Sequence, residues 1–321
     1  MVRIGTDWKH AAALLMRGAL VALPTETVYG LAGRSDDPTV LKRIYAAKNR
    51  PGNNPLILHC SDVDMVKEVA LLKGEALQLA EVFWPGPLTM LLPRREGVLD
   101  EACAGLPRVA VRIPDSEEFR AIISAVGVPL AAPSANMSGY VSPTRAEHVL
   151  AGMGTRVDHI LDGGPCAAGI ESTIVGWNAD GLGEVYRLGA LTQSALEDQT
   201  GRPWRLHQPD LQQPETPGAL PHHYAPHTPV SIDLPQPGDA WVTWSERAAE
   251  WPGEPGIRHH RLSATGDLAE AARNLYAALI ELDGSGVKRI CIEPFPESGL
   301  GNALRERVQR AAARPQNSSA A

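Results

Sequence analysis

Two cations in one short loop are the first side chains whose types and spacing could do chemistry. Lys48 and Arg50 lie at the start of the segment KNRPGNNPLILH, which ends at His59. Because Arg50 directly precedes Pro51, its backbone is pushed into an extended conformation, away from the preceding predicted helix. Arginine suits bidentate contacts with carboxylate or phosphate, and lysine is a compact positive charge for phosphate. The loop therefore indicates an anion site, although Lys48 could equally neutralise the negative end of a helix.

Short polar side chains follow another predicted strand. In LPTETVYGLAG (23–33), Thr25, Glu26 and Thr27 come directly after the apolar stretch ALVALP, which predicts a buried strand. Ligands in α/β sheets commonly bind beyond the strand ends, where hydroxyl groups could hold a polar molecule. A threonine cap and a glycine turn explain the same residues, and composition alone favours that simpler interpretation.

Two further stretches add cations and small polar groups. RVAVRIP (108–114) places Arg108 and Arg112 on one face of a predicted strand, opposite the apolar face. The loop APSANMSGYVSPT (132–144) is rich in serine and asparagine, and Gly139 would let its backbone approach a ligand closely. Solvent exposure and an ordinary polar loop are the alternatives. Because no nucleophile is arranged with a histidine and an acid, the set favours positioning of charged substrates over covalent catalysis.

The composition narrows the class of protein. The 321 residues are 44% hydrophobic and 21% charged, with a formal net charge of −7, which is typical of a globular protein and not of a general nucleic-acid binder. The four cysteines are far apart and form no CxxC pair, which argues against a zinc site or a disulfide framework. The first twenty residues predict an amphipathic helix, not a signal peptide or a membrane span, so we expect a cytoplasmic protein that does not engage a membrane.

The pattern along the chain predicts two domains and a linker. Helical and strand patterns alternate over residues 1–201, which indicates an α/β domain. Residues 202–229 contain seven prolines and almost no periodicity, so they predict an extended, semi-rigid linker. Residues 230–321 again mix strand and helix patterns and predict a second, small α/β domain.

These stretches occur together, in order, in a known family. PTETVYGL, KxRP followed by NPLILH, WPGPLT, VAVRIP, PSAN, ESTIV and VYRLG are all present, and the chain resembles the YrdC/TsaC-like L-threonylcarbamoyladenylate synthases. The motif HYAP (223–226) and the second domain make it similar to the longer, two-domain form, with the resemblance covering about residues 5–313. The resemblance implies a twisted, open, mixed sheet with a concave active-site face and a small Rossmann-like C-terminal domain. We also expect the linker to cross the active site as a lid that excludes water.

The resemblance also implies an activity. The family condenses L-threonine, bicarbonate and ATP to threonylcarbamoyl-AMP and pyrophosphate, and a separate tRNA threonylcarbamoyl transferase uses the product; a weak contact with tRNA is left open. It implies that L-threonine is held by Thr27, His59, Arg112, Ala132 through its backbone, and Ser172. It implies that ATP is held by Arg50, Asn54, Arg108, Ser134, Ser142, Arg187 and Tyr224, with Lys48 alongside.

Our mechanistic hypothesis is electrostatic. The carbamate of threonine must attack the α-phosphorus of ATP, and Lys48, Arg50 and Arg112 would neutralise the crowded anions, with Lys48 and Arg50 as the catalytic pair. General phosphoryl chemistry adds Mg²⁺ on the triphosphate, although the sequence shows no carboxylate cage for it. We expect replacement of Lys48 or Arg50 with alanine to abolish pyrophosphate release and to leave the fold intact.

Two other functions compete with the synthase. A carbamoyl-transfer enzyme of the hydrogenase-maturation type would need an acylphosphatase-like region and zinc-finger cysteines, and the sequence has neither. A binding module that grips double-stranded RNA or tRNA without catalysis needs only phosphate and shape contacts. The net charge of −7 counts mildly against that module.

Overall fold

The structure, a computed structural model, describes residues 3–210, 214–218, 224–245 and 255–313. The chain divides into two compact units. The first unit comprises Met1–Ser138 and Pro143–Ala219, and the second comprises Gly139–Ser142 and Leu220–Ala321. The short segment Gly139–Ser142, which interrupts the first unit in sequence, is therefore grouped with the second.

A large mixed sheet forms the centre of the first unit. Its spatial order within the described residues is β1-β8-β2-β3-β7-β4-β6-β5-β9-β10-β11. The strands are β1 Arg3–Gly5, β2 Val21–Leu23, β3 Gly30–Arg34, β4 Ile57–His59, β5 Leu88–Pro93, β6 Arg108–Arg112, β7 Leu130–Ala131, β8 His159–Leu161, β9 Thr173–Trp177, β10 Gly183–Arg187 and β11 Arg205–Leu206. The central strands β4 and β6 run parallel, with His59 opposite Arg112, so the sheet itself brings two of the predicted site residues side by side.

Helices cover the sheet, and most begin where the sequence offers a cap. They are α1 Trp8–Met16, α2 Pro38–Lys48, α3 Val63–Val69, α4 Glu75–Phe83, α5 Asp100–Cys103, α6 Glu117–Val126, α7 Ala146–Met153 and α8 Gln193–Thr200. The Asp37 carboxylate accepts from the N–H groups of Thr39 and Val40, and Pro38 supplies the first helical φ of α2. Helix α2 ends at Lys48, because Asn49 adopts a left-handed conformation and turns the chain into the loop of Arg50.

Two hydrophobic clusters lie on opposite faces of the sheet. Leu20 and Ala22 belong to the larger cluster, whereas Val21 and Leu23 belong to a cluster shared with α1 and α6. This alternation follows from the period of two in a strand. Burial on both faces explains why the strand ALVAL is a continuous apolar run.

The second unit contains a separate parallel sheet of order β12-β15-β13-β14. Its elements are β12 Val230–Ser231, β13 Ala240–Thr243, β14 Arg258–Arg261, α9 Leu268–Leu282, β15 Ile290–Ile292 and α10 Leu300–Ala312. The apolar side of α9 supplies much of this unit's core, including Leu275, Tyr276 and Leu279. The predicted fold class, a mixed α/β sheet followed by a small α/β unit, is confirmed.

The predicted linker is only partly described. Arg205–Leu206 pairs with β10 in the first unit's sheet, whereas residues 211–213 and 219–223 lie outside the described residues. The predicted domain boundaries and the lid role of the linker therefore stay predictions. Among the helices that the structure describes, none is both long and apolar enough to cross a membrane.

Candidate active site

A buried arginine organises the first part of the site. Arg112, at the end of β6, is 3% exposed. Its Nη1 donates to Thr27 Oγ1 at 2.9 Å, and its Nε donates to the Gly86 carbonyl at 3.1 Å. Thr27 lies in the turn between β2 and β3, where its hydroxyl also pairs with the Thr25 hydroxyl at 2.8 Å. The strand end and the turn therefore meet at one guanidinium.

The same arginine faces an acidic side chain. Glu26 Oε1 lies 2.5 Å from Arg112 Nη2, with both side chains largely buried. Within the described residues, the two Glu26 carboxylate oxygens and Arg112 Nη2 make no aligned hydrogen bond. The contact is therefore an ion pair without hydrogen-bond geometry. The buried groups therefore keep hydrogen-bonding capacity that a ligand could use.

His59 adds a neutral imidazole beside this ion pair. The residue is 3% exposed, and its Nδ1 makes no hydrogen bond in the described part of the chain. Burial, together with the nearby Arg112 charge, lowers the pKa of His59 to about 3. The ring stacks on Phe119 with centroids 5.3 Å apart. His59 is therefore uncharged at neutral pH and offers a hydrogen bond without adding charge.

A second polar group lies where β9 begins. The hydroxyls of Ser172 and Thr89 pair at 2.8 Å. Arg187 Nη2 donates to the Ser172 carbonyl at 2.9 Å and to its hydroxyl at 3.1 Å. A Cβ atom on Gly189 would lie 2.5 Å from the carbonyl carbon of Ser172, so only glycine lets the chain after Arg187 approach this closely.

One loop connects these two groups. The Gly86 carbonyl accepts from Arg112, and three residues later the Thr89 hydroxyl pairs with Ser172. The backbone between them is fixed at Pro87, whose carbonyl accepts from the Thr173 N–H at 2.9 Å. The segment WPGPLT therefore links Arg112 to Ser172 and Arg187 through the chain.

Lys48 lies inside the protein and not at its surface. It is 1% exposed, and its Nζ donates to the Ser134 carbonyl at 2.5 Å, the Asn136 carbonyl at 2.6 Å and Asn136 Oδ1 at 3.1 Å. Burial, followed by the nearby Arg50 charge, holds the pKa of the Lys48 ammonium well below its usual range. Through these hydrogen bonds, Lys48 connects the end of α2 to the PSAN loop (133–136).

Arg50 and Asn54 contact one another. Arg50 Nη2 donates to Asn54 Oδ1 at 2.6 Å, and the same guanidinium donates to the carbonyls of Asn54 and Pro55. Tyr45 closes the turn from the other side, since its hydroxyl donates to the Asn54 carbonyl at 3.2 Å. The predicted cationic loop is thus a compact hydrogen-bonded turn at the start of β4.

Comparisons with known proteins identify the family of this chain. Residues 13–189 match the Sua5_yciO_yrdC family, described as telomere recombination, and residues 187–313 match the C-terminal domain of threonylcarbamoyl-AMP synthase. The threonylcarbamoyl-AMP synthase of Bacillus subtilis (strain 168) is 36% identical over 323 residues, which span 94% of this chain and 92% of that protein. This chain belongs to the threonylcarbamoyl-AMP synthase family.

Further relatives of this family extend the comparison. The threonylcarbamoyl-AMP synthase of Pyrococcus abyssi is 36% identical and covers 95% of this chain and 94% of its own. The crystal structure of P. abyssi Sua5 complexed with L-threonine superposes with a TM-score of 0.87 at 33% identity, covering 97% of each chain. The predicted family membership is therefore confirmed over both units.

Another predicted residue, Arg108, lies at the opposite end of β6 from Arg112. Arg108 is about 13 Å from Arg112 along β6, from the strand rise, and its guanidinium contacts Glu215, the Tyr186 hydroxyl and the Trp177 carbonyl. This arginine therefore joins β6 to β9, β10 and the segment 214–218.

Three other predicted residues are placed as follows. The Ala132 N–H donates to the Ile57 carbonyl at 3.0 Å. Ser142 is fully buried and lies in the segment grouped with the second unit. Tyr224, in the second unit, stacks on Tyr276 with centroids 5.8 Å apart.

Sequence reasoning did not select Glu26 or Thr89 as site residues. Both are in stretches that drew notice, TETV and WPGPLT, but neither has a residue type that identifies its partner. The ion pair with Arg112 and the hydroxyl contact with Ser172 join residues 86 and 83 positions apart in sequence. The described residues contain no group of three or more His, Cys, Asp or Glu that could hold a metal ion.

Proposed function

We propose that this chain condenses L-threonine, bicarbonate and ATP to threonylcarbamoyl-AMP and pyrophosphate. Threonine would bind at the Arg112 cluster, which comprises Arg112, Glu26, Thr27 and His59. The observation that carries the proposal is a buried cluster of polar groups on Glu26, His59 and Arg112 that lack aligned hydrogen-bond partners among the described residues, in a chain similar to threonylcarbamoyl-AMP synthases over both units. A downstream transferase would use the product on tRNA in the cytoplasm.

The threonine site rests on contacts among its members. Arg112 would bind the carboxylate, because guanidinium suits that group. Thr27 already contacts Arg112, and His59 is its register partner across β4 and β6. Ser172 joins this group through Thr89 and the loop of Gly86. We assign L-threonine to Thr27, His59, Arg112, the backbone of Ala132, and Ser172.

The proposed nucleotide site draws on a second set of residues. We assign ATP to Arg50, Asn54, Arg108, Ser134, Ser142, Arg187 and Tyr224, with Lys48 alongside. Two internal contacts support grouping these residues: Arg50 pairs with Asn54, and Lys48 holds the Ser134 carbonyl. For Lys48 to touch a phosphate directly, its Nζ would have to release one of three acceptors. Its contribution in this arrangement is to position the PSAN loop.

The chemistry asked of the protein is orientation and charge neutralisation. The carbamate oxygen attacks the α-phosphorus and pyrophosphate leaves, so negative charge develops where Arg50 and Arg112 can stabilise it. Magnesium would arrive on the ATP phosphates, since the described residues offer no carboxylate cage.

The test compares amino acids at fixed ATP and bicarbonate. We expect pyrophosphate release with L-threonine and little with L-valine, which has the same shape but lacks the hydroxyl group. A site that pairs a substrate hydroxyl rejects the analogue without it because its polar groups are left unpaired. Equal release with both amino acids would contradict the threonine site. Absence of release, combined with salt-dependent RNA binding, would favour the binding module instead.

A further inference from the structure

The buried carboxylate of Glu26 has no role in the binding scheme above. Its side chain is 11% exposed, and neither oxygen accepts an aligned hydrogen bond within the described residues. Burying a carboxylate is costly unless it is both paired and hydrogen-bonded. The Arg112 ion pair compensates the charge but leaves the oxygen lone pairs unused.

The charges around Glu26 point to the kind of ligand. Arg112 contributes one positive charge and Glu26 one negative charge, while His59 is neutral at physiological pH. The other polar groups beside them, on Thr25 and Thr27, are uncharged hydroxyls. One cation and one anion, side by side and buried, complement a zwitterion better than a simple carboxylate.

We propose that Glu26 binds the α-ammonium group of the amino-acid substrate while Arg112 binds its carboxylate. This inference rests on the proposed function. Without substrate, Glu26 and Arg112 neutralise each other. With substrate bound, Glu26 would contact the ligand's ammonium group and Arg112 its carboxylate, and each would give up part of their mutual contact. Glu26 then accepts the hydrogen bonds that its oxygens lack, and the substrate nitrogen is held at a fixed place before its carbamate forms.

A purely structural role for Glu26 makes a different prediction. If Glu26 only neutralises Arg112, its loss would affect stability or the binding of every carboxylate ligand alike. If Glu26 instead binds the α-ammonium group, its loss would weaken the binding of only those ligands that carry the amino group. The choice between L-threonine and its analogue without that group, (R)-3-hydroxybutanoate, therefore separates the two roles.

The experiment is calorimetric titration of the full chain with each of these two ligands. Truncating one partner of a buried charge pair commonly costs at least about 30-fold in affinity. We expect the wild type to prefer L-threonine by about that factor or more. We expect Glu26→Gln, which keeps the shape and removes the charge, to lose this preference, while its affinity for 3-hydroxybutanoate is unchanged or higher. Glu68→Gln, at an exposed position of α3, is the control and should behave as the wild type.

A second variant covers the case in which Glu26→Gln does not fold. Glu26→Asp keeps the charge on a shorter side chain, so it should retain a preference for L-threonine of about 10-fold or more, the equivalent of about 1.4 kcal/mol. An undiminished preference in Glu26→Gln, or no preference in Glu26→Asp, would overturn the ammonium subsite. Failure of the wild type to bind L-threonine at all would instead overturn the proposed function on which it rests.

Discussion

Replacing Lys48 with methionine should destabilise the first unit as well as stop catalysis. The substitution keeps an unbranched side chain of similar length but removes three hydrogen-bond donors. Asn136 Oδ1 keeps a donor in the Ser134 hydroxyl at 2.5 Å, so the main loss falls on the carbonyls of Ser134 and Asn136. This differs from our sequence-based expectation that the fold would tolerate loss of Lys48.

The size of the effect follows from those two carbonyls. Each buried polar group left without a partner costs about 1–3 kcal/mol, and relief from burying the ammonium offsets part of the sum. We therefore expect a net loss of about 3 kcal/mol. For a unit of this size each kcal/mol shifts the melting temperature by about 2–4 °C, so the shift should be about 6–12 °C.

The assay is thermal unfolding of the full chain, with Lys42→Met as the matched control. Lys42 lies on the same helix with its side chain 71% exposed, and its ion pair with Glu101 is at the surface, so its replacement should change stability by less than about 1 kcal/mol. A Lys48→Met protein that melts with the wild type yet releases no pyrophosphate would refute the anchoring role. Such a result would favour direct contact between Lys48 and the substrate.

Three further predictions address other contacts. Gly189→Ala should destabilise the first unit by about 1–3 kcal/mol and raise the KM for threonine, because its Cβ would meet the backbone beside Ser172; an unchanged melting temperature and KM would contradict this packing. Thr89→Val should raise the KM for threonine by about fivefold, the equivalent of one hydrogen bond of about 1 kcal/mol, and an unchanged KM would place the hydroxyl pair outside the site. Asp283 accepts from the Thr228 N–H and hydroxyl, at 2.8 and 2.9 Å, and contacts such as these hold the pKa of its carboxyl below its usual range. Its stabilising contribution is thus fully present above about pH 3.9, the unfolded value, and is lost as pH falls through the folded pKa. In urea unfolding, Asp283→Asn should be less stable than the wild type at pH 7, and the difference should shrink below about pH 4; a gap that stays constant with pH would exclude the carboxylate as its source.

Local sequence signals predicted the helices better than the glycine-rich strand. Asp37 and Pro38 are a capping residue and a first-turn proline that indicate the start of a helix from sequence alone, and α2 runs from Pro38 to Lys48. Strand β3, GLAGR, reads from sequence as a turn because glycine has little strand propensity. In the structure a Cβ on Gly33 would lie 2.6 Å from Val40 Cγ1. Close packing of α2 on the sheet, which depends on distant residues, is therefore the reason for the glycine.

The candidate site divides in the same way. Sequence pattern correctly gave Arg112 a strand position, and the parallel pairing of β4 and β6 sets His59 beside it. No local rule could show that the partner of Arg112 is Glu26, or that Arg108 on the same strand contacts Glu215. Tertiary contacts between segments some 86 and 107 residues apart decide both. The ligand assignments of these residues stay predictions.

The most direct test of the account follows the carbon of bicarbonate. The full chain is incubated with ATP, isotopically labelled bicarbonate and L-threonine. The nucleotide products are then separated, and their masses are measured by mass spectrometry. The account predicts label in one new AMP adduct of the mass of threonylcarbamoyl-AMP, formed in equal amount to pyrophosphate, and loss of that adduct in Arg112→Ala. Pyrophosphate release without labelled adduct, or equal labelling when L-valine replaces L-threonine, would contradict it.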